Sequence, residues 1–179
     1  GCVVGGSFGL GAVGLGHGCV LSPVSRNVSG SGKRRHRGGV SDVADPVIGH
    51  RGRPGYEGRF VRPEFDVRVA HDEHGFRRPA VPVEPGRCER NVLIYGDSFV
   101  WGWGVSEGEL FTERLAESRP DLCVYNFGIN ASGTAMQYTL FVNEHEEMLS
   151  DGDTVVVIFH DTDFSDNVRG PTLQGRVVD

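Results

Sequence analysis

Ser98 stands in a short Gly-Asp-Ser stretch (96–98) directly after the apolar run NVLIY at 91–95. An apolar run that ends at a glycine is typical of a buried strand, and a serine on the tight turn after it exposes its hydroxyl at the sheet edge. There the hydroxyl can meet a base and backbone N–H groups, as nucleophilic attack on a carbonyl requires. The alternative is structural, because Asp97 or Ser98 could simply cap the following helix turn. Position alone leaves both interpretations open.

The residues after position 90 alternate between strand and helix patterns. We predict strands at 91–95, 122–126 and 154–159, a helix that ends near Ser118, and a helix over 134–149. The S-x-x-E pattern of Ser106 and Glu109 predicts the start of the first helix. A β-α-β-α-β order predicts an α/β fold with a parallel sheet between two layers of helices.

Three polar loops follow the three predicted strands: GDSF, GINASGT and HDTDFSDN. Because the carboxyl ends of parallel strands meet at one sheet edge, we expect these loops to converge on a functional site. The acidic run of the third loop (161–166) does not fit a calcium loop, since Asp166 and Thr172 stand where Gly and Glu are required. The chain has no phosphate-loop motif and no CxxC pair, so we expect neither a cofactor nor a metal.

The stretch NVLIYGDSFVWGWGV resembles the first block of the SGNH/GDSL superfamily of serine ester hydrolases, in particular a bacterial group with a GDSF-x-x-G-x-GV signature. NFGINASGT resembles the second block and VVVIFHDTDFSDN the third, while DPVIGHRGRPGYEG and HDEHGFR resemble segments that precede the nucleophile strand. The resemblance covers about residues 45–179. It implies a flavodoxin-like three-layer α/β/α fold and hydrolysis of carboxylic ester bonds through an acyl-enzyme.

The same resemblance implies three donors for the oxyanion that forms during this reaction. The first is the backbone N–H of Ser98. The second is a backbone N–H at Ala131, where the family has glycine, or at Gly133 if the loop has shifted. The third is a family asparagine, replaced here by Thr162 next to Asp163. A threonine hydroxyl is shorter than an amide, which favours a weakened oxyanion site.

The resemblance implies that Ser98 is the nucleophile and that Asp97 supports its turn. The catalytic base is the residue for which the resemblance offers no match. The family takes its histidine from a late D-x-x-H block, and no D-x-x-H follows Ser98 in this chain. We therefore expect either truncation at the carboxyl end or loss of activity. His160, at the end of the third predicted strand, is a conceivable substitute base. We expect His71, His74 and His145 to be structural or solvent-facing.

Two tryptophans flank the nucleophile turn. Trp101 and Trp103 could line a pocket for an acyl group or a sugar, or they could pack in the core. The sequence leaves this choice open.

Composition divides the chain into three zones. Residues 1–44 are rich in Gly and Ser and basic, and we expect a disordered linker or the remnant of a signal or membrane anchor. Residues 45–90 form an extension before the hydrolase-like zone at 91–179. All 24 acidic residues lie beyond position 40, and an acidic body argues against nucleic acid as the partner. We expect a small-molecule or glycan ester substrate, and a cell-envelope or cytoplasmic location, with membrane association through a missing anchor.

Three functions fit these residues. The first is hydrolysis of acyl or O-acetyl esters by Ser98. The second is a catalytically inactive relative that binds envelope glycans, because of Thr162 and the missing histidine. The third is transfer of the acyl group to a sugar hydroxyl, which uses the same nucleophile.

Overall fold

The computed structural model describes residues 42–169, 172–173 and 176–177. These residues belong to the unit Arg35–Asp179. The predicted linker at 1–44 lies outside the described residues, except that its end overlaps strand β1 (Asp42–Asp45).

A parallel three-stranded sheet forms the centre of this unit. Its strands are β5 (Arg90–Gly96), β6 (Leu122–Gly128) and β7 (Thr154–Val157), in the order β6-β5-β7. Leu93 of β5 pairs with Tyr125 of β6 and with Val155 of β7. The α/β fold and its parallel sheet are therefore confirmed, and β5, the strand that precedes Ser98, is the central one.

Four α-helices accompany the sheet in the described residues. They are α1 (Ser98–Trp101), α2 (Phe111–Ser118), α3 (Thr134–Leu140) and α4 (Thr162–Arg169). A π-helical turn (Phe141–His145) and a 3-10 turn (Glu146–Met148) prolong α3, so the predicted helix at 134–149 is helical over nearly its whole length but irregular. None of the described helices is long and apolar enough to cross a membrane.

Helices cover both faces of β5, because successive strand residues point to opposite sides. Leu93 and Tyr95 pack in one core cluster with Leu140 of α3. Val92 and Ile94 pack in another with Val100 of α1, and Leu115 of α2 packs against it. This arrangement gives the three layers that the strand–helix alternation predicts.

The start of α2 differs from the prediction. Ser106 and Glu109 do not open the helix, since Gly108 between them has a φ of +83° and the helix begins at Phe111. Glu113 takes the capping role: its carboxylate accepts the backbone N–H groups of Gly108 (2.8 Å) and Leu110 (3.0 Å). A left-handed residue cannot continue a right-handed helix, so the helix start moves past Gly108.

Two antiparallel hairpins precede the sheet. The first pairs β1 with β2 (Gly49–Gly52), and the second pairs β3 (Glu57–Arg62) with β4 (Phe65–Ala70). Strand β4 has the sequence FDVRVA, in which Phe65, Val67 and Val69 alternate with polar residues as is typical of a strand. Phe60, Val67 and Val69 of the second hairpin form a core cluster with Trp101. The extension is thus packed directly against α1, the helix that begins with Ser98.

Strand β7 is shorter than the predicted 154–159 and lies at the edge of the sheet in the part of the chain that the structure describes. It pairs with β5 on one side, and its Val155 and Val157 are exposed, as is Phe159 beyond it. Its apolar sequence predicted a strand correctly, but not the exposure of its side chains.

A disulfide joins Cys88 to Cys123 at the start of β6. Cys123 is buried, as its apolar run predicts, but the pairing itself was not predicted. The covalent loop that this bond closes contains β5, α1 and α2.

Reduction of this disulfide is expected to lower the free energy of unfolding by about 2–4 kcal/mol, since the bond restricts the unfolded chain. Urea denaturation of the oxidised and reduced protein measures the difference. A variant with Cys2→Ser and Cys19→Ser is the control, because it should retain the same difference. Equal urea midpoints for the oxidised and reduced protein would contradict the prediction.

Candidate active site

Ser98 is the first residue of α1 and follows β5 with Asp97 between them. The buried Asp97 carboxylate accepts the backbone N–H of Phe99 at 2.9 Å, so Asp97 is the helix cap. The Ser98 side chain is half-buried, and its Oγ makes no hydrogen bond within the described residues. Helix capping therefore explains Asp97 but not Ser98, whose hydroxyl remains free to react.

Two glycines allow α1 to lie against the strand ends. A methyl group at Gly128 would collide with the backbone nitrogen of Trp101, and one at Gly96 would collide with the side chain of Val100. Backbone cannot give way as a flexible side chain can, so the approach at Gly128 requires glycine. This close contact fixes the height of Ser98 above the sheet.

The second loop is tied to the residue that ends β5. The backbone N–H of Ile129 and the hydroxyl of Ser132 both donate to the carbonyl oxygen of Gly96, at 3.1 and 3.2 Å. His50 of β2 supports the loop from below, because its ring lies 2.7 Å from the carbonyl oxygen of Asn130 through Nε2. Burial lowers the pKa of His50, so the neutral ring donates this hydrogen bond. His50 carries no motif that sequence analysis could use.

Ala131 lies at the exposed tip of this loop. Its φ of +56° is in the left-handed region, whereas Gly133 has an ordinary φ of −88°. The backbone conformation that favours glycine is thus at position 131 and not at 133. Within the described residues neither the Ala131 nor the Ser98 backbone N–H donates a hydrogen bond. Both groups are available to an oxyanion.

Ala131→Gly is expected to raise the free energy of unfolding by about 0.5–1 kcal/mol. The left-handed conformation costs alanine about 1–2 kcal/mol, and the added freedom of glycine in the unfolded chain offsets part of that gain. Urea denaturation measures the change. Ala135→Gly, at an exposed position inside α3, is the matched control and should lower stability instead. A loss of stability in both variants would contradict the argument.

The third loop reaches the site through Thr162. Its hydroxyl donates to Asp97 Oδ2 at 3.1 Å, which ties the start of α4 to the residue before Ser98. A hydroxyl has one proton, so in this arrangement Thr162 holds Asp97 and does not offer that proton to an oxyanion. The structure therefore brings Thr162 to the site but gives it a different contact from that of the family asparagine.

Asp163 is fully buried behind this contact. Its carboxylate accepts the backbone N–H of His160 at 2.7 Å, and Gln137 donates to it at 3.4 Å. Burial raises the pKa of Asp163, and the nearby charges of Asp97 and Asp166 raise it further. Asp163 thus organises the third loop and does not face the open site.

Gln137 joins the second and third loops and was missed in the sequence. Its side-chain nitrogen donates to the carbonyl oxygen of Ser132 at 3.2 Å as well as to Asp163. A polar residue one turn before the buried Leu140 on α3 was the signal that could have revealed it.

The His160 ring lies next to α1, where it packs on Phe99. Its Nδ1 is 2.9 Å from the Thr162 hydroxyl, and the centroids of the His160 and Phe99 rings lie 4.6 Å apart. Within the described residues no histidine is hydrogen-bonded to Ser98.

The other predicted histidines are structural or exposed, as expected. His71 accepts the indole N–H of Trp101 at 3.4 Å, and His74 is exposed. His145 contacts the Tyr95 hydroxyl at 2.8 Å, and burial lowers the pKa of its imidazole to about 4.

Arg77 is a buried cation that the sequence analysis did not single out. Its guanidinium stacks on Trp101, 4.8 Å from the ring centroid, and donates to the carbonyl oxygens of Gly102 (3.3 Å) and Val105 (3.0 Å). Burial lowers its pKa to about 10, so the group stays protonated near neutral pH. Arg77 therefore fixes the loop that follows α1.

Two cavities border the converging loops. One has a volume of about 340 Å³ and is lined by Ser98, Phe99, Gly102, Trp103 and Val105. The other, of about 540 Å³, lies between the β1–β2 turn, Ala131 and the start of α3. Of the two tryptophans, Trp101 is a core residue and Trp103 is exposed at the smaller cavity.

In the described part of the chain, no group of three or more His, Cys, Asp or Glu residues could hold a metal ion. A scan of protein-family models finds no match to this chain, and a search of curated proteins finds no matching relative. The structure thus places this chain in the α/β class, and its kinship with the SGNH/GDSL hydrolases stays a prediction from the motifs.

Proposed function

We propose that this chain is a serine hydrolase module that acts on carboxylic esters through Ser98. The observation that carries the proposal is the convergence of three loops around a free serine hydroxyl. Gly96 binds the second loop, Asp97 binds the third, and Ser98 follows them at the end of the central strand. A nucleophile at the carboxyl end of a parallel strand, beside unpaired backbone N–H groups, suits acyl transfer.

The proposed reaction has two steps. Ser98 Oγ attacks the ester carbonyl carbon, its proton passes to a base, and the alcohol leaves with that proton while an acyl-serine forms. Water then attacks the acyl-serine, which releases the carboxylic acid and restores the serine hydroxyl. His160, whose ring packs on Phe99 next to Ser98, is the candidate base among the described residues.

The disulfide supports an oxidising compartment for this activity. Structural disulfides persist in secreted and envelope proteins and are rare in the reducing cytosol. The Cys88–Cys123 bond thus favours the cell-envelope location over the cytoplasmic one, and with it an acylated envelope glycan or small ester as substrate.

A second function has its own supporting observation. No described histidine is hydrogen-bonded to Ser98, and the Thr162 hydroxyl is directed at Asp97. Both features favour a catalytically inactive module that binds glycans without turnover.

Labelling with a fluorophosphonate probe separates the two functions. In the full chain we expect a covalent adduct, which peptide mass spectrometry locates on Ser98. Ser106→Ala, in the turn before α2, is the control and should label fully, whereas Ser98→Ala should not. An unlabelled wild-type chain, under conditions that label an active serine hydrolase, would reject the hydrolase in favour of the inactive module.

A further inference from the structure

Trp103 forms one wall of the cavity beside Ser98. It is 46% exposed, whereas the neighbouring Trp101 is buried. Phe99, 62% exposed, lines the same cavity. Large aromatic side chains exposed together beside a nucleophile are unusual unless they meet a ligand.

The exposed Trp103 ring is held in place from behind. Phe60 of β3 meets it edge to face, with 4.5 Å between the ring centroids. The guanidinium of Arg62 lies 5.6 Å from the Trp103 ring and 4.9 Å from the Phe60 ring. Arg77 fixes the backbone on both sides of Trp103, through Gly102 and Val105. The second hairpin and Arg77 thus present a fixed aromatic surface.

The lining of this cavity selects an apolar ligand. Apart from the Ser98 hydroxyl and the single indole N–H of Trp103, the side chains of its lining residues Phe99, Gly102, Trp103 and Val105 offer no polar group. A sugar ring buried there would leave hydroxyl groups without hydrogen-bond partners, which costs free energy, whereas an aliphatic chain loses nothing. The volume of about 340 Å³ is at the lower end of the range for ligand pockets, which suits a short chain.

We propose that this cavity binds the acyl chain of the substrate, with Trp103 as the residue that sets chain-length preference. The substrate class is then esters of short to medium aliphatic acids. This inference rests on the proposed function, because it places the ester carbonyl at Ser98. In this proposal the second hairpin helps to form the acyl site, because Phe60 and Arg62 hold the Trp103 ring in place.

The first test measures binding without turnover. Hexanoate is titrated into the full chain carrying Ser98→Ala, and NMR follows the Trp103 indole N–H and the Gly102 and Val105 amides. We expect saturable shifts with hexanoate, binding at least about tenfold weaker for acetate, and no shift of the buried Trp101 indole. Shifts with methyl glucoside and none with hexanoate would overturn the proposal.

Variants at Trp103 test its role in that binding. Trp103→Ala should abolish the saturable shifts of Gly102 and Val105, and Trp103→Phe should retain part of the affinity. Phe164→Ala removes an exposed aromatic of α4 outside the cavity and should change nothing. Equal losses of hexanoate binding in Trp103→Ala and Phe164→Ala would overturn the proposal. If Trp103→Ala fails to fold, Trp103→Phe still tests the role of the indole ring.

The second test compares kcat/KM for p-nitrophenyl acetate and hexanoate. Trp103→Ala should lower the hexanoate-to-acetate ratio about tenfold, because a few methylene contacts account for that much discrimination. If Ser98 labels with the fluorophosphonate but hexanoate does not bind, the acyl-site inference alone fails. If hexanoate binds but Ser98 neither labels nor turns over esters, the hydrolase proposal fails and the cavity remains an apolar ligand site.

Discussion

Ser98→Ala is expected to lower turnover of short p-nitrophenyl esters by at least about 1,000-fold, because the proposed acyl-enzyme forms on the Ser98 hydroxyl, while the hydroxyls of Ser132 and Thr162 are engaged in hydrogen bonds. The fold should remain intact. Ser98 Oγ makes no hydrogen bond within the described residues, and Asp97, not Ser98, caps α1. Steady-state hydrolysis and the urea midpoint, measured on the same preparation, separate loss of chemistry from loss of structure.

Ser106→Ala is the matched control for this experiment. Ser106 lies in the turn before α2, outside the cavity that Ser98 lines. We expect it to keep wild-type turnover and stability. Undiminished turnover in Ser98→Ala would remove Ser98 from the mechanism, and a large fall in its urea midpoint would show that Ser98 has a structural role.

Arg77→Ala is expected to lower the free energy of unfolding by about 3–5 kcal/mol. The charged guanidinium is fully enclosed, stacks on Trp101 and donates to two loop carbonyls, so its loss leaves a void and unpaired carbonyl oxygens. The negative charges of Glu107 and Glu113, which favour the protonated guanidinium, would also lose this nearby positive charge. Urea denaturation measures the loss of stability, and tryptophan emission, from Trp101 and Trp103 together, reports on the loop.

Arg78→Ala is the neighbouring control. Arg78 pairs with Glu57 at 2.8 Å on the surface, and exposed pairs of this kind contribute little to stability because water and salt screen them. We therefore expect a small change there. Arg77→Lys keeps the positive charge but lacks the planar guanidinium that donates several hydrogen bonds. Its free energy of unfolding should therefore lie between those of wild type and Arg77→Ala. Similar losses of unfolding free energy in Arg77→Ala and Arg78→Ala would contradict the structural role that we assign to the buried Arg77.

Local sequence patterns predicted the elements of the sheet well. The apolar runs that contain Leu93, Cys123 and Val155 are all strands. Burial accounts for the apolar residues of β5 and β6, whereas Val155 lies exposed on the edge strand β7. Their order predicted that the loops would converge, and contacts of Gly96 and Asp97 show that the loops do. The helix start at Ser106 was wrong, because one left-handed glycine overrode a capping pattern.

The residues that support the site were much harder to predict. Arg77, His50 and Gln137 act through backbone carbonyls and a buried carboxylate that are distant in the chain. A partner 28 or 80 residues away leaves no periodic signal in a single sequence. The Cys88–Cys123 pairing was missed for the same reason, since it depends on where two chain segments meet.

The sequence by itself determined the α/β alternation, the position of Ser98 after the central strand and the loops that surround it, because these follow from local hydrophobic runs and turn residues. Only the tertiary structure decided the orientations: Thr162 turned toward Asp97, Ala131 in a left-handed backbone, Trp101 inside and Trp103 outside. These orientations depend on which distant groups hydrogen-bond to each buried polar atom and which side chains fill the space around it. Packing between segments that are far apart in the chain determines both.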